Sequence, residues 1–177
     1  MNGQAQPSSR DYDALLHRHG LDATEVLGLE AQSTHTVMRR CIDLLWGGVG
    51  STGFSWIGFY EKVAGKDEMV LVCREPKPAC SPIGLHGMCG RSWQERRPIL
   101  INDVRTLGAN YIACDPKDQS EMVIPLIGDD GACEGVLDVD SWDVGSFTQA
   151  DVVGMTRILM ALGLTCEDAD ELSTLHL

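Results

Sequence analysis

The sequence has few basic residues and no long apolar run. Its 177 residues include 14 Lys and Arg against 26 Asp and Glu, so the formal net charge is −12. Nucleic-acid backbones and anionic membranes select basic patches, and we expect neither as a partner. No apolar run approaches the roughly 18 residues of a membrane span, and the polar N-terminus lacks the apolar core of a signal peptide. These absences predict a cytoplasmic protein.

Closely spaced cysteine pairs are also missing. The seven cysteines are an odd number and include no Cys-x-x-Cys, which disfavours a disulfide framework and a typical zinc site. Three of them fall in apolar runs and are expected to be small core residues: Cys41, Cys73 and Cys133. Cys166 lies in an acidic stretch and receives no role. The remaining three lie in segments punctuated by Gly and Pro, where loops carry chemistry: Cys80, Cys89 and Cys114.

The segment from Pro78 to Asp140 combines these three thiols with three acids at the edges of apolar runs. The acids are Glu121, Asp138 and Asp140. A thiolate attacks electrophiles, and a second thiol can close a disulfide on the first. Carboxylates can bind an ammonium group or deliver a proton. The segment therefore predicts a thiol-redox active site.

Hydrophobic periodicity predicts an α+β domain around a mostly antiparallel sheet. Helices are expected over residues 9–19, 24–46, 87–97 and 148–164, and strands over 53–62, 68–75, 98–101, 121–127 and 133–140. The glycines at 47–50 should end the second helix. Alternation in the first strand should place Phe54, Trp56 and Tyr60 on one face. Residues 1–8 are expected to be disordered, 9–165 to form one domain, and 166–177 an acidic tail.

Six short motifs follow one another in a distinctive order. They are WIGFY at 56–60, PAC at 78–80, MCG at 88–90, IACD at 112–115, SEMVIPL at 120–126 and GVLDVDS at 135–141. This order resembles the GAF-type free methionine-(R)-sulfoxide reductases over most of the chain. The resemblance implies about six antiparallel strands flanked by helices. It also implies reduction of the R epimer of free methionine sulfoxide by an L-methionine (R)-S-oxide reductase.

The resemblance also assigns roles to individual residues. Cys114 matches the catalytic cysteine, and Cys80 and Cys89 match the partners that form disulfides during turnover. Cys89 stays an alternative nucleophile. Three acids match the residues that hold the polar groups of the substrate: Glu121, Asp138 and Asp140. An aromatic pair, Trp56 and Tyr60, matches the wall that receives the methyl sulfoxide end. Thioredoxin is implied as external reductant, with no cofactor and no metal, and a homodimer is compatible with the family.

The chain departs from the family pattern between Cys80 and Cys89. The two cysteines are nine positions apart instead of ten, and Leu85-His86-Gly87 stands where relatives have Gly-Arg-Gly. Arg105 replaces a usual His. Because this loop would cover the substrate, the departures concern substrate identity more than fold.

The residues support the chemistry without the resemblance, since Asp138 and Asp140 at i and i+2 leave one strand face together. Their mutual repulsion would be relieved by the ammonium group of an amino acid. Other readings stay open. The acids could be solvent-facing, Trp56 and Tyr60 could be core aromatics, and four residues could bind zinc: Cys80, His86, Cys89 and Cys114. A non-catalytic GAF sensor is the alternative function, although these 177 residues leave no room for an output domain.

Overall fold

The computed structural model of the chain describes residues 10–21, 32–111, 114–168 and 171–177. The α-helices of this part are α1 (Tyr12–Arg18), α2 (Thr34–Val49), α3 (Met88–Glu95) and α4 (Gln149–Ala161). The strands are β1 (Trp56–Lys62), β2 (Glu68–Glu75), β3 (Ile83–Gly84), β4 (Ile99–Ile101), β5 (Ser120–Ile127), β6 (Cys133–Ser141) and β7 (Leu175–His176). No helix within these ranges is long and apolar enough to cross a membrane. Residues 1–8, expected to be disordered, lie outside them.

The strands form one sheet in the order β3-β2-β1-β6-β5-β4-β7. Neighbouring strands are antiparallel except β4 and β7, which are parallel. The expected α+β class with a mostly antiparallel sheet is confirmed, with seven described strands instead of about six. One extra strand lies in the stretch expected to be only an acidic tail. There the backbone N–H of Leu175 donates to Pro98 at 2.8 Å, and that of Leu177 donates to Leu100 at 3.0 Å.

The second helix differs from its prediction at both ends. Part of the predicted start lies outside the described residues, and the helix begins at Thr34 because the Ser33 side chain accepts a hydrogen bond from the backbone N–H of Thr36. The glycines at 47 and 48 do not end it. The helix runs to Val49, whose side chain is buried, and a 3₁₀ turn follows. The 3₁₀ turn ends at Gly53, whose φ of 111° is readily adopted by glycine.

The two faces of the sheet pack against different partners. Ile57 and Phe59 of β1 belong to the large core with α1, α2 and α4, whereas Trp56 and Tyr60 belong to a smaller cluster on the side of α3. The prediction that Phe54 shares the face of Trp56 is wrong. Since β1 starts at Trp56, the alternation does not reach Phe54, which packs in the large core with its ring centroid 5.7 Å from that of Phe147.

A buried ion pair joins the start of the described chain to α4. Arg10 Nη1 lies 2.9 Å from Asp151 Oδ1, and the two side chains are 1% and 6% exposed. The hydroxyl of Tyr12 donates to the same carboxylate oxygen at 2.8 Å. Asp151 Oδ2 accepts from the backbone N–H of Thr148 and completes the capping box of α4. The Asp151 carboxylate therefore links α1, the start of α4 and Arg10.

We expect Asp151→Ala to lower the free energy of unfolding by about 3–5 kcal/mol, because it leaves the Arg10 guanidinium buried without its counter-charge. Urea denaturation followed by circular dichroism measures the change. Asp129→Ala, in the exposed turn between β5 and β6, is the control and should change stability by less than about 0.5 kcal/mol. Equal stability of the two variants would contradict the structural role of the ion pair.

Candidate active site

Two adjoining cavities, of about 160 and 240 Å³, lie on the α3 side of the sheet. Their linings share four residues: Tyr60, Cys114, Asp138 and Asp140. All the residues predicted for the site line one cavity or the other, and they come from β1, β5, β6, α3 and the loops that precede β3 and β5. The structure thus brings the predicted residues together, while their individual roles remain predictions.

The three acids project from neighbouring strands. Glu121 of β5 lies directly across from Asp140 of β6, and Asp138 lies across from Gly58 of β1. Gly58 has a local reason to be glycine, because a Cβ there would come within 2.2 Å of the Trp56 ring. The missing side chain lets the indole lie along the sheet beside Asp138.

Burial controls the protonation of these acids. Glu121 is 5% exposed, and Asp138 and Asp140 are each 8% exposed, so the interpretation of the Asp pair as solvent-facing is wrong. Desolvation, followed by repulsion from neighbouring carboxylates, raises the pKa of Glu121 and of Asp140 well above the usual range. Desolvation also raises the pKa of Asp138 to about 7. Burial and mutual repulsion therefore favour the protonated forms of these acids unless a cation joins them.

Hydrogen bonds satisfy only part of this acid cluster. Cys89 donates its thiol to Asp138 Oδ2 at 3.3 Å, and the hydroxyl of Tyr111 donates to Glu121 Oε2 at 2.7 Å. Asp138 Oδ1 is buried and has no hydrogen-bond partner among the described residues. A buried oxygen without a partner is costly, so this atom favours a ligand that brings a donor or a positive charge.

The aromatic pair forms a wall of the site and also anchors a loop. The rings of Trp56 and Tyr60 are 6.1 Å apart at 34°. Trp56 Nε1 donates to the carbonyl of Lys77 at 2.9 Å, and the Tyr60 hydroxyl donates to the carbonyl of Cys80 at 2.8 Å. Both side chains are buried. They are thus core residues that also line a cavity, and their polar ends fix the loop that carries Cys80.

The three cysteines of the site divide into an exposed pair in loops and a buried thiol in α3. Cys80 and Cys114 are exposed, line the larger cavity together, and lie close enough that Cys80 influences the pKa of Cys114. Partial desolvation raises the pKa of Cys114 to about 12, and electrostatic interactions with Cys80 and Asp138 act in the same direction. Cys89 is buried in the first turn of α3, and desolvation together with the charge of Asp138 raises its pKa well above the usual range. All seven cysteines are free thiols.

Several residues of the site were missed from the sequence. Asp118, buried in the smaller cavity, accepts a hydrogen bond from Ser55 Oγ at 2.9 Å, and burial raises its pKa. An ion pair between Lys77 and Asp115 links the loops that carry Cys80 and Cys114. Tyr111 was missed as well. Nothing in the local pattern marks these residues, since their roles depend on contacts between loops distant in sequence.

The alternative zinc set is wrong for the described residues. Among them, the group of His, Cys, Asp or Glu side chains close enough to share an ion is Cys89, Glu121 and Asp138, and it includes neither His86 nor Cys80. His86 instead is exposed and lines the larger cavity. The site is therefore a thiol and carboxyl cavity and not a cysteine and histidine zinc centre.

The GAF domain family profile matches residues 31–165. The chain is 38% identical over 110 residues to GAF domain-containing protein A of Dictyostelium discoideum, covering 62% of this chain and 68% of that protein. It is 31% identical over 156 residues to the free methionine-R-sulfoxide reductase of Escherichia coli, covering 87% of this chain and 83% of that protein. The structure of free methionine-R-sulfoxide reductase from Neisseria meningitidis in complex with its substrate superposes with a TM-score of 0.72 at 26% identity, over 92% of both chains.

The raised carboxyl pKa values predict an unusual pH dependence of stability. Between about pH 4 and 7 the folded protein holds a proton on Asp138 that the unfolded chain has released. The free energy of unfolding should therefore fall as pH rises through this range. Asp138→Asn, measured by urea denaturation in metal-free buffer, should give a shallower fall and be more stable than the wild type at pH 8. Asp129→Asn should follow the wild type, and parallel profiles for all three proteins would refute the assignment.

Proposed function

The chain belongs to the GAF-domain family of free methionine-(R)-sulfoxide reductases, and we propose that it reduces free L-methionine (R)-S-oxide with electrons from thioredoxin. One observation carries the proposal. A single pair of adjoining cavities presents two neighbouring exposed thiols, a third thiol and a cluster of buried acids. A non-catalytic GAF sensor needs a ligand cavity, but it has no use for an adjacent thiol pair.

The proposed reaction begins at Cys114. The Cys114 thiol gives up its proton as its sulfur attacks the sulfoxide sulfur, and the sulfoxide oxygen receives a proton. The S–O bond of the substrate then breaks as the oxygen passes to the Cys114 sulfur, which releases methionine and leaves a cysteine sulfenic acid. Condensation with a second thiol then forms a disulfide and water. Thioredoxin reduces that disulfide with two thiols of its own. Two electrons reach the substrate in each cycle, and both thiols are regenerated.

The contacts favour Cys80 as the second thiol. Cys80 and Cys114 are neighbours on the wall of the larger cavity, so a disulfide between them can close by movement of the two loops alone. Both are exposed, which leaves the disulfide accessible to a protein reductant. Cys89 is buried against Asp138 and is the less accessible partner.

The acids and aromatics bind the substrate in this proposal. The ammonium group and the sulfoxide oxygen are held by three carboxyls: Glu121, Asp138 and Asp140. The methyl sulfoxide end lies against Trp56 and Tyr60 beside Cys114, because these three residues line the same cavity. Asp138 is a suitable proton donor, since a carboxyl with a pKa of about 7 is partly protonated at neutral pH.

NADPH oxidation coupled through thioredoxin reductase and thioredoxin tests the activity. We expect turnover with the R epimer of free methionine sulfoxide and none with the S epimer above a heat-denatured control. Dithiothreitol in place of thioredoxin separates the chemistry from the choice of reductant. An absence of turnover on either epimer with both reductants would favour the sensor.

Single-turnover and coupled assays separate the roles of the cysteines. Cys114→Ser should abolish even the first release of methionine, because the nucleophile is gone. Cys80→Ser should keep that first turnover and lose the thioredoxin cycle. Cys166→Ser, at an exposed thiol bonded to Gly128 outside the cavities, should behave as the wild type. Retained first turnover in Cys114→Ser together with its loss in Cys89→Ser would reverse the proposed roles.

Asp140→Asn tests the binding of the ammonium group. The change keeps the shape and removes the charge, so kcat/KM should fall by tens- to hundreds-fold, which corresponds to about 2–4 kcal/mol. Asp143→Asn, in the exposed turn just after β6, should leave kcat/KM unchanged. An unaltered value for Asp140→Asn would remove this residue from the binding site.

A further inference from the structure

One buried thiol and two buried carboxyls converge in the wall of the larger cavity. One sulfur or oxygen atom from each of Cys89, Glu121 and Asp138 lies within 4.8 Å of the others. The residues are 7%, 5% and 8% exposed, and all three line the cavity. A buried group of this composition is uncommon, because unpaired carboxylates are normally solvated. The cluster therefore has the ligands of a cation site.

The mixed ligand set selects among cations. Zn²⁺ binds thiolate sulfur at about 2.3 Å and carboxylate oxygen at about 2.0–2.2 Å. A tetrahedral site then separates sulfur from oxygen by about 3.6 Å. Cys89 Sγ and Asp138 Oδ2 are 3.3 Å apart, so this pair needs little adjustment. Mg²⁺ and Ca²⁺ prefer oxygen alone, whereas a thiolate favours Zn²⁺.

Two further contacts indicate that the cluster is arranged for a ligand. Asp138 Oδ1 is buried and lacks a hydrogen-bond partner within the described part of the chain. Glu121 Oε2 accepts from the Tyr111 hydroxyl at 2.7 Å, which orients the carboxylate and leaves its other oxygen for an ion. A hydrogen-bonded carboxylate of this kind is typical of ligands in metal sites.

We propose that Cys89, Glu121 and Asp138 bind one Zn²⁺, with water from the cavity as the fourth ligand, and that the bound ion reversibly blocks the site. The thiol of Cys89 and any protonated carboxyl of Glu121 and Asp138 give their protons to solvent, and no electron is transferred. Zn²⁺ supplies the positive charge that the buried acids lack, and it occupies the place assigned to the ammonium of the substrate. Free zinc thus acts as an inhibitor and not as a cofactor.

Zinc titration of the reduced, metal-free protein tests the site without measuring activity. Competition with a chromophoric chelator should give one equivalent of Zn²⁺ per chain. Cys89→Ser and Glu121→Gln should weaken binding at least tenfold, and Tyr111→Phe should weaken it by about tenfold or more. Cys80→Ser is the matched control and should bind as the wild type does. Loss of binding in Cys80→Ser with normal binding in Cys89→Ser would overturn the proposal.

Cobalt provides a second measurement, and its wild-type spectrum does not depend on the folding of a variant. Co²⁺ added to the wild type should give a thiolate-to-cobalt charge-transfer band in the near ultraviolet. The band should persist in Cys80→Ser and disappear in Cys89→Ser. A wild-type protein that binds Co²⁺ without this band would exclude Cys89 as a ligand and overturn the proposal.

The blocking effect rests on the proposed function and is tested separately. Binding of free methionine, the product, is first measured by calorimetry on the zinc-free protein. A protein that does not bind methionine would contradict the proposed function and not the zinc site. Saturating methionine should then weaken zinc binding at least tenfold. Equal zinc affinity with and without bound methionine would overturn the blocking, since the two ligands would occupy different places.

Discussion

Burial of negative charge on one face of the sheet is the constraint that governs this site. Glu121, Asp138 and Asp140 leave neighbouring strands toward the same cavity and are almost removed from water. Desolvated carboxylates repel one another, so the cluster lowers its charge by keeping protons or by receiving a cation. The thiol of Cys89 and the hydroxyl of Tyr111 each stabilise one oxygen, which leaves the cluster under-compensated. Affinity for a small cation follows directly.

The acids lie on regular strands, whereas the thiols proposed to form the disulfide lie in loops. The acids project from paired strands, whose backbone hydrogen bonds hold them in place. Cys80 and Cys114 lie in loops, where bond formation between them requires less movement of regular structure. Two contacts fix the positions of these loops: the Tyr60 hydroxyl donates to the carbonyl of Cys80, and Lys77 pairs with Asp115. The aromatic wall therefore fixes the loop that carries Cys80 while it shapes the cavity.

The long strands and the site motifs were predictable because their signals are local. The apolar runs of β1, β2, β5 and β6 depend on adjacent residues, and the cysteines and acids singled out by the short motifs all line the larger cavity. Failures occurred where distant contacts decide. Phe54 lies before β1 and follows Phe147 into the core, and β7 exists only because β4 offers a free edge. Tyr111 and Asp118 likewise gain their roles from partners on other elements, which no local pattern encodes.

The same electrostatic constraint accounts for a preference for free amino acids over peptides. A free amino acid brings an ammonium group, and its charge compensates at least one ionised carboxyl of the cluster. A methionine sulfoxide within a polypeptide instead presents a neutral amide nitrogen with one N–H. That donor can satisfy one oxygen, such as Asp138 Oδ1, but it leaves the repulsion among Glu121, Asp138 and Asp140 uncompensated. Selection for a free substrate thus follows from the charge of the cavity.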